Sequence, residues 1–190
     1  MVASIPKPKI KIPTPEPDSI PTLEAFLNCP LDSMEWVDGQ LVEKLNMTLR
    51  HSQVQSRLDY SWRSYMLSSN QGGEVYTEAL CRTNRQGRRP DVAYLTPELQ
   101  AQYAGAASLP MSFPLIAEVA SPEDSGEDLF AKAAEYLQSG AQEVWLIYPE
   151  SRWIVILTAE KHLLLTVGDI ASTQSVLLGF SIPVDELLAD

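Results

Sequence analysis

Arg88-Arg89-Pro90-Asp91-Val92-Ala93-Tyr94-Leu95, Pro114-Leu115-Ile116-Ala117-Glu118-Val119-Ala120-Ser121 and Asp128-Leu129-Phe130-Ala131-Lys132-Ala133-Ala134-Glu135-Tyr136 form one stretch on which the reading of this chain turns. The first part is an aspartate heading an apolar, partly β-branched run. The second is an apolar run interrupted by a single glutamate, and the third is a helical pattern carrying one lysine. A buried carboxylate is costly unless it is paired or bound to a metal. Two acids on successive buried strands, followed by a cation on a helix, therefore point to a working site.

The same stretch sets the fold class. Ser125 with Asp128 three residues on resembles a capping box that starts the Lys132 helix, and Gly140 would end it. Glu143 to Tyr148 fits a buried strand, so a helix lies between it and the Glu118 strand, which leaves room for a parallel pair. Pro149 to Arg152 turns the chain into a strand over 153–159, another follows over 161–167, and Pro183 opens a short helix through Leu188. Upstream, Thr96-Pro97-Glu98 opens a short helix. A basic loop precedes Asp91, and 74–80 reads as a strand after Gly72-Gly73.

Further back, Val54, Leu58, Trp62 and Tyr65 or Met66 recur at helical spacing, giving a long amphipathic helix over 48–68. Met34 to Glu43 reads as a hairpin, because Asp38-Gly39 supplies the positive-φ pair of a type I′ turn. Thr22 to Asn28 suits a short helix. Residues 1–21 carry prolines at 6, 8, 13, 15, 17 and 21 and are expected as an extended arm. The expectation is thus an arm over 1–21 and one domain over 22–190. Its class is α/β (α+β), a mixed sheet flanked by helices with an extra N-terminal hairpin.

Composition narrows the class of function. The chain has 190 residues, 45% hydrophobic and 21% charged, which suits one soluble domain. No apolar run approaches a membrane span and no signal-peptide core is evident, so a cytoplasmic protein is expected. Cys29 and Cys81 are too few for a disulfide framework. The net charge of −11 argues against a nucleic-acid partner until its distribution is considered. Residues 1–90 hold 11 Lys+Arg against 10 Asp+Glu, and residues 91–190 hold 3 against 15. Arg82, Arg85, Arg88 and Arg89 fall in an acid-free segment directly before Asp91, where guanidinium groups could hold phosphates.

Asp91 and Glu118 on neighbouring strands can share a hard divalent cation, Mg²⁺ or Mn²⁺, which binds oxygen ligands and keeps several waters. Such an ion polarises a phosphate oxygen and activates water, and Lys132 would assist from the following helix. His51, Glu43 and Glu78 are possible additional site residues. His162 receives no role. The chain lacks a Gly-rich phosphate loop, a Gly-x-Ser-x-Gly elbow and His/Cys metal spacing.

The ordered motifs resemble a bacterial restriction-endonuclease family within the PD-(D/E)XK nuclease superfamily. The resemblance is carried by Glu35-Trp36-Val37-Asp38-Gly39-Gln40-Leu41-Val42-Glu43, His51-Ser52, Arg89-Pro90-Asp91-Val92-Ala93 and Ala117-Glu118-Val119-Ala120-Ser121-Pro122. It continues through Lys132 with Tyr136 and Gly140 to Ile147. It implies a restriction-endonuclease-like core, a Mg²⁺-type site at Asp91 and Glu118, phosphodiester hydrolysis with DNA as the expected substrate, and a homodimer. The superfamily lysine would stand two residues after the acid, where this chain has Ala120. Lys132 looks like its migrated replacement. The second reading is a catalytically inactive nucleic-acid- or protein-binding module that retains the fold. The acidic C-terminal half and the missing lysine at 120 favour it.

Overall fold

The computed structural model describes residues 21–44 and 47–189. The expected arm over 1–21 lies outside the described residues except for Pro21. Seventeen elements follow one another. Helix α1 (Leu23–Asn28) leads into the hairpin β1 (Met34–Val37) and β2 (Gln40–Glu43), then the long helix α2 (Leu49–Ser68) and β3 (Glu74–Thr77). Next come β4 (Cys81–Arg82), β5 (Gly87–Arg88), β6 (Val92–Leu95), α3 (Pro97–Tyr103), β7 (Leu115–Val119) and α4 (Gly126–Gln138). The chain finishes through β8 (Glu143–Tyr148), β9 (Trp153–Thr158), β10 (His162–Leu165), β11 (Ile170–Ser172), β12 (Ser181–Pro183) and α5 (Val184–Leu187).

A six-stranded mixed sheet in the order β10-β9-β8-β7-β6-β3 forms the centre. Its one parallel pair is β7 with β8, joined across α4, because strands running the same way need a crossover rather than a tight turn. Both strands of that pair are mostly apolar and covered on both faces, and all five residues of β7 are buried. On one face α2 lays down Val54, Leu58, Trp62 and Met66 against Val92, Ala117, Trp145 and Ile156. Trp62 meets Trp145 edge-on at 5.8 Å and 86°, the arrangement ring quadrupoles favour. On the other face α4 packs Leu129, Ala133 and Tyr136 against Ala93, Ile116, Val144 and Leu146. Trp62→Ala is expected to remove about 3–5 kcal/mol of stability, read as a lowered urea midpoint.

A four-stranded sheet, β2-β1-β5-β4, stands beside the central one. Its hairpin turns at Asp38 (φ 49°) and Gly39 (φ 81°), the positive-φ pair expected there. The segment read as a basic loop contains β4 and β5. Arg82 pairs with Gly87, and Gly87 in turn lies opposite Trp36 of β1. Two-residue strands carry too little periodicity to be seen in sequence.

The strand expected over 74–80 ends at Thr77. Glu78 takes φ 54°, and its N–H bonds Pro90 O at 3.1 Å, so the chain leaves the sheet edge there. Thr48, Thr96 and Ser125 precede their helices, and the Thr48 and Ser125 side chains cap them. The β11–β12 pair was not anticipated, since strands of three residues carry too little periodicity to be read in sequence. No helix among the described residues is long and apolar enough to cross a membrane. Cys29 and Cys81 are free thiols.

Candidate active site

The two acids meet at one end of a strand pair. Strands β6 and β7 are antiparallel with Val92 opposite Ala117, so Asp91, just before β6, and Glu118, one residue past Ala117, come to the same end of the ladder. The Val119 N–H donates to Asp91 Oδ2 at 2.6 Å, tying the aspartate to the strand that carries Glu118. Asp91 is 1% exposed and Glu118 3%, yet both line a cleft of about 610 Å³ with Glu35, Lys44, His51 and Lys132.

Each acid has its own lysine. Lys132, projecting from α4, places Nζ 3.1 Å from Glu118 Oε1 and 3.3 Å from Glu35 Oε1. The Tyr136 hydroxyl, one helical turn further on, donates to the same Glu118 oxygen at 2.7 Å. Lys44, just past β2, places Nζ 2.6 Å from Asp91 Oδ1 and 2.9 Å from Glu78 Oε2, and donates to Arg89 O at 2.7 Å. His51 Nε2 lies 3.2 Å from Asp91 Oδ2. Gln55, one turn later on α2, donates to Asp91 O at 2.9 Å and Glu78 Oε1 at 3.1 Å. The stripe of α2 that is apolar over the core thus becomes polar where it reaches Asp91.

Burial and these partners push the acids apart. Burial alone would raise Asp91, but Lys44 and His51 outweigh it and hold its carboxyl well below the usual range. Burial raises Glu118, Lys132 opposes that rise, and the neighbouring Asp91 adds to it. Against desolvation, Lys44 is held protonated by Asp91, Glu118 and Glu78, and Lys132 by Glu118 and Glu35. Glu35 sits below the ordinary range. Burial would raise it, but Lys132, the Arg89 N–H and Arg88 prevail.

One ammonium cannot neutralise two carboxylates equally. Burial pushes Glu78 up from 4.5 to about 7 and the neighbouring Asp91 adds to the rise, against Lys44, which lies closer to Asp91. For an acid with a raised folded pKa, the linked stability is complete below about pH 4.5 and is lost as pH climbs through about 7. Thermal melts of the wild type should therefore fall between pH 5 and pH 8. Glu78→Gln should flatten that limb.

The arginine segment divides. Arg88 directs NH1 to Glu35 at 3.2 Å and NH2 to Glu135 at 2.9 Å. Arg89 spends Nε, NH1 and NH2 on the carbonyls of Met34, Glu78 and Leu31. Arg88 and Arg89, expected to hold phosphates, here brace the hairpin and the acid cluster. Arg82 forms a surface pair with Glu24 at 3.1 Å, and Arg85 is exposed. Glu43 ends β2, half-buried at the cleft wall beside Lys44, and Glu78 is joined to Asp91 through Lys44.

Sequence reasoning missed Lys44, Glu35, Gln55 and the Tyr136 hydroxyl as members of the site. Two signals were present. Lys44 is the single Lys or Arg between Lys11 and Arg50, and Glu35 is an acid inside an apolar strand, the same anomaly that marked Glu118. In β1, Glu35 is the buried residue while Met34 and Trp36 are half-exposed.

The donor set fits a hard divalent ion. The described residues contain no group of three or more His, Cys, Asp or Glu arranged for a metal, so a cage made wholly of protein ligands is not what they offer. Two carboxylates with water completing the shell is an arrangement Mg²⁺ accepts. Among the described residues no hydrogen bond is made to Glu118 Oε2, while Oε1 takes both Tyr136 and Lys132.

Known proteins agree with this architecture. The chain matches a solved structure of a putative nuclease belonging to DUF820 from Anabaena variabilis, with a TM-score of 0.77 and 17% identity over 88% of this chain and 97% of that one. At that identity the likeness is one of fold. No curated protein matches. Residues 23–185 match the model of the Uma2 family, described as "Putative restriction endonuclease". With that match covering most of its length, the chain belongs to the Uma2 family of restriction-endonuclease-like proteins.

Proposed function

We propose that this protein is a metal-dependent endonuclease that hydrolyses phosphodiester bonds in DNA. The observation that carries the reading is the convergence of buried Asp91 and Glu118 on one cleft, with Lys132 against Glu118. Asp91 and Glu118 would hold Mg²⁺ or Mn²⁺. When bound, the ion supplies Lewis-acid polarisation of the phosphate and activation of water. Lys132 remains an ammonium between Glu118 and Glu35 and orients the attacking water or faces the charge developing on the phosphate oxygens. Water oxygen bonds to phosphorus, the P–O ester bond breaks, and the departing oxygen takes up a proton.

Tyr136 and Glu35 hold Glu118 and Lys132 in place. His51 and the Val119 N–H do the same for Asp91. Arg82, at the end of β4, and Arg85, between β4 and β5, would hold the nucleic-acid backbone outside the cleft. Incubation of supercoiled plasmid and of linear single- and double-stranded DNA with Mg²⁺ or Mn²⁺ tests the reading. Metal-dependent nicking that EDTA stops is the expected result. Wild-type protein inert on the whole panel, yet still binding DNA with Glu118 replaced by alanine, would favour the non-catalytic module.

A further inference from the structure

Lys44 holds Asp91 Oδ1, an oxygen that a metal ion on Asp91 would compete for. An ammonium has three N–H donors, and Lys44 spends them on oxygens of three groups: Asp91 Oδ1 at 2.6 Å, Arg89 O at 2.7 Å and the Glu78 carboxylate at 2.9 Å. That surrounding, two carboxylates and a backbone carbonyl, is what a hard cation seeks. Both oxygens of Asp91 are consequently engaged, since Oδ2 takes the Val119 N–H and faces His51. These two kinds of engagement differ in how easily they are undone. The Val119 bond belongs to a buried strand end and the His51 contact to a buried helix turn, whereas Lys44 is a flexible four-carbon stem leaving the end of β2. Its side chain is 17% exposed at the cleft wall. A divalent ion on Asp91 with the ammonium still in contact would face like-charge repulsion in a poorly solvated site.

From this arrangement we propose that Lys44 is a resident counter-ion that a divalent metal displaces from Asp91, so that Lys44 sets the metal affinity of the site. The inference rests on the metal-site reading above and adds to it the residue that controls occupancy. No bond is made or broken covalently. Lys44 leaves as an ammonium and turns into the cleft, and the acids exchange a monovalent partner for a divalent one. Without metal, Lys44 keeps the buried acids compensated and the protein folded.

Two measurements test it. Mn²⁺ is titrated calorimetrically into wild type, Lys44→Gln and Asp91→Asn; glutamine keeps a donor for Asp91 but removes the charge. Lys44→Gln should bind Mn²⁺ about tenfold more tightly than wild type or better, because the competing charge is gone. Asp91→Asn should lose binding. In parallel, wild-type protein is acylated at its lysines with and without Mn²⁺ and mapped by mass spectrometry. Lys44 should react slowly alone and several-fold faster with Mn²⁺. This readout needs no variant to fold. Equal or weaker binding by folded Lys44→Gln, or Lys44 no more reactive with Mn²⁺ than without it, overturns the role of Lys44. The metal site then survives if wild type still binds and Asp91→Asn does not. Absence of Mn²⁺ binding in both wild type and Lys44→Gln sinks the metal-site reading and this inference together.

Discussion

Glu118→Gln is expected to lower metal-dependent DNA hydrolysis by roughly 10²–10³-fold or more while leaving the protein folded. Glutamine keeps the shape and can still accept from the Tyr136 hydroxyl, but it removes the charge a metal requires. Stability should change little. Glu118 is an acid that burial has already pushed upward, and Lys132 keeps Glu35 as a partner at 3.3 Å once the Glu118 charge is gone. Initial rates of plasmid nicking, set beside circular-dichroism melts of both proteins, check it. Unchanged rates would remove Glu118 from the chemistry. A collapsed melt would assign it to the fold instead.

A comparably large effect on stability is expected at Asp91. Asp91→Ala leaves His51 and the Val119 N–H beside a hole and leaves Lys44 with only the Glu78 carboxylate and Arg89 O. Removing one partner of a buried pair costs about 3–5 kcal/mol, chiefly because the other is stranded. Asp91→Ala combined with Lys44→Met should cost less than the sum of the two single changes, because the Asp91–Lys44 pair is lost only once. Urea denaturation of the singles and the double at pH 7 measures the coupling.

The sign of the pH dependence follows from the depressed carboxyl. The Asp91 contribution is complete above the unfolded value, about 3.9, and is lost as pH falls toward the folded one. The acid limb of the wild-type stability curve should therefore be steeper than that of Asp91→Asn.

Much of the architecture could be read from residue pattern because the signals were local. The Asp38-Gly39 turn, the Thr48 and Ser125 caps, the stripe from Val54 to Met66 and the apolar run from Glu143 to Tyr148 each declare their element within a few residues. Asp91 and Glu118 stood out for a related reason: an acid in a run otherwise built for burial has no inexpensive structural explanation. Partnerships were not legible, because they are fixed by register and by chain crossings. Nothing near Lys44 in sequence says that it faces Asp91, 47 positions away. Likewise Arg88 and Arg89 read as a free basic cluster until β5 docks on β1 and brings Glu35 within reach. Glu78 was expected in a strand. Its positive φ instead turns it out of the sheet, and its carboxylate joins Lys44.

A lysine reaches Glu118 from outside its own strand. Ala120 stands two residues after Glu118, and α4, the crossover that the parallel β7–β8 pair demands, passes over the face that Glu118 occupies. Lys132 one turn before Tyr136 then reaches Glu118 from outside the strand, with Glu35 of the hairpin as its second anchor. The N-terminal hairpin is in this sense part of the site. It supplies Glu35 from β1, and Lys44 stands just beyond β2.

Anomalous diffraction from crystals equilibrated with Mn²⁺ tests the central claim most directly. A single strong peak should appear between the two acids, with one oxygen of Asp91 and one of Glu118 each about 2.1–2.2 Å from it. The Lys44 ammonium should then have left Asp91 Oδ1. No peak at saturating Mn²⁺, with the Asp91–Lys44 and Glu118–Lys132 pairs unchanged, would contradict the account.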